Sequence, residues 1–189
     1  MARITYAATD PSPPLLGSSM LVPHQSRAAG CQYLPLRSPL ITEAEGGIRV
    51  GGSFWWQTGP YQQDLGAAFR QAQEQELAKD DHGFPGRTMD HLWEDEGWQE
   101  YIFTGGTGTV LDLVDVVEPT DAGGGPFVRP LTDREVRAWA PTGQPTYADW
   151  VDAMDSETLR FPARGCGNCT VLYDDGQPAH IGYWGVTAD

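Results

Sequence analysis

The chain has 189 residues, of which 40% are hydrophobic and 20% are charged, and it contains 7 Trp, 7 Tyr and 6 Phe. This size and aromatic content suit one folded domain and exclude a wholly disordered chain. Its 26 acidic and 12 basic residues give a net charge of −14. That charge disfavours nucleic-acid binding, which needs Lys and Arg to neutralise phosphates.

The negative charge is concentrated in the middle of the chain. Residues 1–60 contain 3 acidic and 4 basic side chains, whereas residues 61–121 contain 14 acidic and 3 basic ones, a net charge of −11. Residues 122–189 contain 9 acidic and 5 basic side chains. A block of this kind predicts either a surface that attracts a basic protein or a solvated surface that only confers solubility.

No run of eighteen apolar residues occurs, and the first residues lack the apolar core of a signal peptide. Three cysteines do not make the pattern of a secreted disulfide scaffold. We therefore expect a cytoplasmic protein that makes no contact with a membrane.

The front of the chain is predicted to be irregular because six prolines lie between residues 10 and 47. We expect one domain over residues 1–189, in which 1–47 form a Pro-rich segment that wraps around a core formed by 48–189. A first strand is predicted over 48–57, where apolar and aromatic residues lie among glycines.

Two helices are predicted in the acidic block. Leu65, Ala68, Phe69 and Ala72 recur at three- and four-residue spacing, which predicts a helix over residues 61–79. Thr88 is suited to cap a second, shorter helix that ends near residue 97.

The β-branched run over residues 110–117 predicts an interior strand. Thr132 with Glu135 forms a capping-box pattern for one short helix, and Thr146 is placed to cap another. Asp175-Gly176 predicts the turn of a C-terminal hairpin over residues 170–183. This order of elements predicts an α+β fold, with helices packed on a mainly antiparallel sheet.

The hairpin contains the Cys166-Gly-Asn-Cys169 motif. With a two-residue turn, Tyr173 opposes Pro178, and counting back along both strands pairs residue 171 with 180 and residue 169 with 182. This register places Cys169 and His180 on one face of the hairpin as diagonal neighbours.

A zinc site would then use Cys166, Cys169 and His180, with Cys31 or His24 as the fourth ligand. Structural zinc sites usually show two pairs of ligands, and this sequence has one. A redox role is disfavoured because the motif leads into a strand rather than a helix. We therefore favour a sharp turn into the hairpin and expect no metal or other cofactor.

An enzyme is a further hypothesis. His91 and Glu94 lie three residues apart on one helical face, with Asp95 beside them, which suits an acid–base pair or a divalent-metal site. The same spacing is more typical of a solvated helix surface.

The hypothesis that the charge distribution favours is a small acidic protein-binding module, of the kind that inhibits or neutralises a basic protein. Its similarity to immunity proteins that inhibit bacterial toxins is one of charge and size only. The alternatives are an enzyme that uses His91 and a metal-binding protein that uses the two cysteines. The binding surface is predicted to comprise eight carboxylates: Glu74, Glu76, Asp80, Asp81, Asp90, Glu94, Asp95 and Glu96.

Overall fold

The sheet is the centre of the fold in the computed structural model, which describes residues 52–120 and 125–189. Within these ranges it has five strands: β1 Phe54–Pro60, β2 Asp115–Val116, β3 Phe127–Pro130, β4 Gly167–Asp174 and β5 Gln177–Val186. The order across the sheet is β1-β5-β4-β3-β2. The long pairs β1–β5 and β5–β4 are antiparallel, whereas the short pairs β4–β3 and β3–β2 are parallel. The sheet is therefore mixed and mainly antiparallel.

In the described part of the chain, five α-helices pack with this sheet, which confirms the predicted α+β class. Helix α1 begins after Asp64, whose carboxylate accepts a hydrogen bond from the backbone N–H of Ala67 at 3.0 Å. The helices span α1 Leu65–Leu77, α2 Met89–Trp93, α3 Glu96–Thr104, α4 Asp133–Trp139 and α5 Tyr147–Asp155.

Helices cover both faces of the sheet because strand residues alternate between the two faces. On one face, the buried side of α1 packs against Cys169 and Tyr183, and the rings of Phe69 and Tyr183 lie 5.8 Å apart. On the other face, Trp150 of α5 packs against Trp184 at a ring distance of 6.2 Å. Helices α2 and α3 extend the first layer through a cluster around Leu92 and Trp98.

The C-terminal hairpin is confirmed. Asp175 and Gly176 have φ values of 46° and 74°, which are the left-handed values that a tight two-residue turn requires. Tyr173 pairs with Pro178, as the turn predicts. The register changes between Leu172 and Tyr173, where a bulge inserts one extra residue. Beyond the bulge, the register predicted from the turn is wrong by one residue.

The prediction of an interior strand over residues 110–117 is wrong. Val110–Asp112 form a single 3₁₀ turn, and only Asp115–Val116 form a strand, at the edge of the sheet. Side chains satisfy several main-chain groups here. Gln57 accepts from the N–H of Val110 at 3.2 Å, and Gln73 donates to the carbonyl of Leu113 at 2.6 Å. These bonds replace the ladder that a strand would form.

Other boundaries differ from the predictions. Of the strand predicted over 48–57, residues 54–57 are observed in β1, which continues to Pro60, whereas residues 52 and 53 are not in the strand. The helix predicted to begin after Thr88 does so, but it ends at Trp93, and α3 begins close to where the helix was expected to stop. Strand β3 was not predicted. The irregular segment over 1–47 and the start of the predicted first strand lie outside the described residues.

The predicted caps of the last two helices are confirmed. Thr132 and Glu135 form a capping box at α4, and Thr146 forms another at α5 with Asp149. Each box satisfies two main-chain N–H groups at a helix start. Within the described ranges, no helix is both long and apolar enough to cross a membrane.

Candidate functional site

Cys169 and His180 do not face each other. Cys169 pairs with Tyr183, and His180 pairs with Leu172. Cys169 belongs to the core on the α1 side of the sheet, whereas Leu172 belongs to the core on the α5 side, and His180 is exposed. The predicted proximity of Cys169 and His180 is therefore wrong, because the bulge shifts one strand by a residue and so reverses its side chains.

Cys169 is a free thiol with 1% of its surface exposed, so no disulfide joins it to Cys166. Burial raises the pKa of the Cys169 thiol to about 12, which keeps it protonated and unreactive at neutral pH. Among the described residues, no three His, Cys, Asp or Glu side chains lie close enough together to hold a metal ion. Cys31 and His24, the candidate fourth ligands, lie outside these residues.

In the described residues, no direct hydrogen bond joins His91 to Glu94 or Asp95, its predicted acid–base partners. His91 is exposed, and its Nδ1 lies 3.1 Å from the hydroxyl of Thr88, the N-cap of α2. In the part of the chain that the structure describes, neither Glu94 nor Asp95 makes a hydrogen bond or ion pair with His91. Asp95 instead accepts from the N–H of Gly97 at 2.9 Å and so caps α3. This arrangement supports a structural role for Asp95.

The eight predicted partner-binding carboxylates lie at the surface, in two groups. Glu74, Asp81 and Asp90 line one cleft beside α1. The others lie outside its lining: Glu76, Asp80, Glu94, Asp95 and Glu96. Six of the eight are exposed, and Glu76 and Asp95 are half-buried.

We call this cleft the acidic cleft. It has a volume of about 570 Å³ and lies between the C-terminal half of α1 and residues 81–90. Its apolar lining comes from Leu77, Phe84 and Met89, which also pack against the cluster formed by α2 and α3. Its polar lining includes the three carboxylates and two arginines, Arg70 and Arg87. The cleft thus combines an apolar surface with exposed charges.

Ion pairs around the acidic cleft leave its three carboxylates without a cationic partner in the described residues. Arg87 lies 3.4 Å from the Asp95 carboxylate, and Lys79 lies 2.6 Å from Glu76. Asp81 accepts a hydrogen bond from the N–H of Gly83 at 3.0 Å, which fixes the turn at the edge of the cleft. Arg87 and Lys79 are therefore engaged with carboxylates outside the lining, whereas Arg70, which lines the cleft, makes no ion pair in the described residues.

The apolar part of this site was not predicted from the sequence. Phe84 lies in a Gly- and Pro-containing segment without periodicity, so no pattern indicated that it would pack against Trp98, 5.3 Å away in an edge-on arrangement. Arg70 and Arg87 were not predicted to line the site either, because they are two of only three basic residues among 14 acidic ones in residues 61–121. The acidic residues themselves were detectable from their local excess.

A second feature that was not predicted is the buried carboxylate of Asp112. Asp112 has 2% of its surface exposed and accepts from the N–H of Thr107 at 2.6 Å, the hydroxyl of Thr107 at 2.7 Å and the N–H of Gly108 at 3.1 Å. Burial raises its pKa above the ordinary value of 3.8, although these hydrogen bonds act in the opposite direction. Asp112 therefore fixes the glycine-rich loop before the 3₁₀ turn.

No protein-family model, curated protein sequence or solved structure shows a significant match to this chain.

Proposed function

We propose that the chain is a protein-binding module that uses the acidic cleft to hold a basic segment of another protein. The single observation that carries the proposal is the cleft itself, whose lining combines three exposed carboxylates and two arginines with an apolar surface. Lys and Arg have aliphatic stems that pack on apolar groups while their charged ends reach carboxylates. A segment with an apolar anchor and flanking basic residues matches this lining.

The surrounding charge supports the same partner. Residues 61–120 contain 13 acidic and 3 basic side chains, a net charge of −10. A field of this sign attracts a basic protein over a distance of roughly 10 Å at moderate ionic strength. The long-range field would bring the partner to the cleft, and the apolar contacts would retain it.

The volume of the acidic cleft limits the size of the partner segment that it can hold. About 570 Å³ accommodates a few side chains rather than a folded domain, so we propose that a projecting loop or helix of the partner inserts there. Inhibition of the partner would follow if that element belongs to its active or binding surface. The cytoplasmic location expected from the sequence belongs to the same proposal.

A photoreactive amino acid placed in the acidic cleft tests this function. Ala78 lines the cleft and is exposed, and Ala148 on α5 is an exposed control outside it. In lysate of the source organism, we expect the probe at position 78 to capture one basic protein whose yield falls at high salt. The probe at position 148 should not capture it.

The proposal is wrong if both positions capture the same proteins, or if the protein captured only at position 78 is acidic. Mass spectrometry of the cross-linked peptide provides a second criterion. The partner peptide should contain Lys or Arg next to an apolar residue, because the lining offers both kinds of contact.

A further inference from the structure

A second cleft lies on the opposite side of the sheet, between α4 and residues 158–160. It has a volume of about 420 Å³, which is in the range of small-molecule sites. Its lining is formed by Leu131, Arg134, Glu135, Ala138, Trp139, Thr158, Leu159 and Arg160. We call it the arginine cleft.

The two arginines of this cleft have no protein partner in the residues that the structure describes. Arg134 and Arg160 are both exposed, and neither guanidinium makes a hydrogen bond or an ion pair there. Arg137, on the same helix as Arg134, donates instead to the carbonyl of Thr142 at 3.2 Å. The sequence has more than twice as many acidic as basic residues, so two unpaired guanidiniums in one cleft are a local reversal of charge.

Glu135, the one carboxylate of the lining, does not cancel this positive charge. It forms a two-pronged ion pair with Arg129, with N–O distances of 2.9 and 3.0 Å. It also accepts from the N–H and the hydroxyl of Thr132, each at 2.8 Å. Burial opposes its ionisation, but these hydrogen bonds from Arg129 and Thr132 hold the Glu135 pKa below its ordinary value. The pair with Arg129 is neutral, so the cleft retains the charge of Arg134 and Arg160.

The rest of the lining is apolar. Trp139, Leu131 and Leu159 are half-buried or buried and belong to the core on the α5 side of the sheet. A flat apolar group can pack on such a wall, while a guanidinium donates two parallel hydrogen bonds to a carboxylate or phosphate.

We infer that the arginine cleft binds a small organic anion in which a carboxylate or a phosphate monoester is attached to a flat apolar group. Arg134 and Arg160 contact the anionic group, and the wall that includes Trp139 contacts the apolar group. This site is separate from the acidic cleft and shares no lining residue with it.

Titration of ¹⁵N-labelled full-length protein with four probes tests the inference: benzoate, phenyl phosphate, benzyl alcohol and inorganic phosphate. We expect saturable shifts in residues 131–139 and 158–160 with benzoate or phenyl phosphate, and none with benzyl alcohol. The probe that binds more tightly identifies the anionic group. Binding of benzyl alcohol at the same site, or of inorganic phosphate as tightly as phenyl phosphate, would overturn the inference.

Variants test whether Arg134 and Arg160 contact the anionic group of the ligand. Arg134→Gln and Arg160→Gln should each weaken binding about 5- to 10-fold, the loss expected for a charged hydrogen bond at an exposed site. Arg137→Gln is the matched control on the same helix, and it should leave affinity within about twofold. Ala138→Glu places a carboxylate in the cleft and should abolish binding with the fold intact. Equal losses in Arg137→Gln and Arg134→Gln would contradict the assignment, as would full binding by Ala138→Glu.

Discussion

The two sides of the sheet differ in how they are held together and in what they expose. The α1 side carries the acidic block and the acidic cleft, and buried polar side chains such as Gln73 and Asp112 fix its irregular segments. The α5 side is held by packed tryptophans and by helices with complete capping boxes. Irregular segments on the α1 side thus depend on buried polar side chains, whereas the α5 side depends on apolar packing and local caps.

Local patterns predicted elements on both sides of the sheet, including α1 and the Thr88 cap of α2, and they failed where the main chain depends on residues that are distant in sequence. Capping boxes and an Asp-Gly turn involve residues a few positions apart, so α4, α5 and the hairpin turn could be predicted. The segment at 110–117 depends on Gln57 and Gln73, which are 53 and 37 residues from Val110. A contact at that separation leaves no pattern in a single sequence, so a strand was predicted instead.

Some residues of the candidate sites could be predicted from the sequence, and others could not. An excess of carboxylates can be counted, so the acidic side chains of the cleft were predictable. Phe84 and Met89 become part of it only because the fold places residues 81–90 beside α1. The bulge near Leu172 also has no local signal, and its single extra residue was enough to separate Cys169 from His180.

The largest expected effect is on the α5 side. Trp150→Ala should lower the free energy of unfolding by about 3–5 kcal/mol, because this fully buried ring packs against Trp184 and the close backbone of Gly182. Urea denaturation measures the change. Trp56→Ala is the control, since 53% of that residue is exposed, and it should cost less than about 1 kcal/mol. Similar losses in both variants would contradict the description of this core.

On the α1 side, Asp112→Ala should cost about 2–3 kcal/mol, because it leaves the N–H groups of Thr107 and Gly108 without an acceptor. Hydrogen exchange of the variant should show lost protection at these two amides, while amides on the α5 side keep their protection. Unchanged exchange at Thr107 and Gly108 would show that the carboxylate does not fix this loop.

The two sides should also respond to pH with opposite signs. Because the pKa of Asp112 is raised in the folded state, protonation of Asp112 stabilises the folded state. This stabilisation is fully present when the pH is below 3.8, the ordinary pKa, and it is lost as the pH rises through the folded-state pKa. The lowered Glu135 pKa has the reverse effect. Its stabilisation is present above the ordinary value of 4.5 and is lost as pH falls through the folded-state pKa.

Denaturation at a series of pH values measures both responses. Asp112→Asn should remove a component that destabilises the protein as pH rises, and Glu135→Gln should remove one that destabilises it as pH falls. If both variants change the pH profile in the same direction, the assignment of burial to Asp112 and of ion pairing to Glu135 is wrong.

Loss of a single cap should have the smallest effect on stability. Thr146→Ala should cost about 1 kcal/mol, because the hydroxyl of Thr146 accepts from the N–H of Asp149 at 3.2 Å at the start of α5. Thr146→Ser keeps the hydroxyl and should restore most of the loss. Thermal unfolding followed by circular dichroism compares the two variants. A serine variant as unstable as the alanine variant would attribute the loss to the methyl group instead.

The association rate between this protein and the partner captured at position 78 tests the central claim most directly. Glu74→Gln, Asp81→Asn and Asp90→Asn together should slow association about 5- to 10-fold at low salt, because rim charges act mainly on the encounter. The control triple variant Asp152→Asn, Asp155→Asn and Asp174→Asn removes three exposed charges outside the acidic cleft and should change the rate less than about twofold. Equal slowing by both triple variants, or no slowing by either, would contradict binding at the acidic cleft.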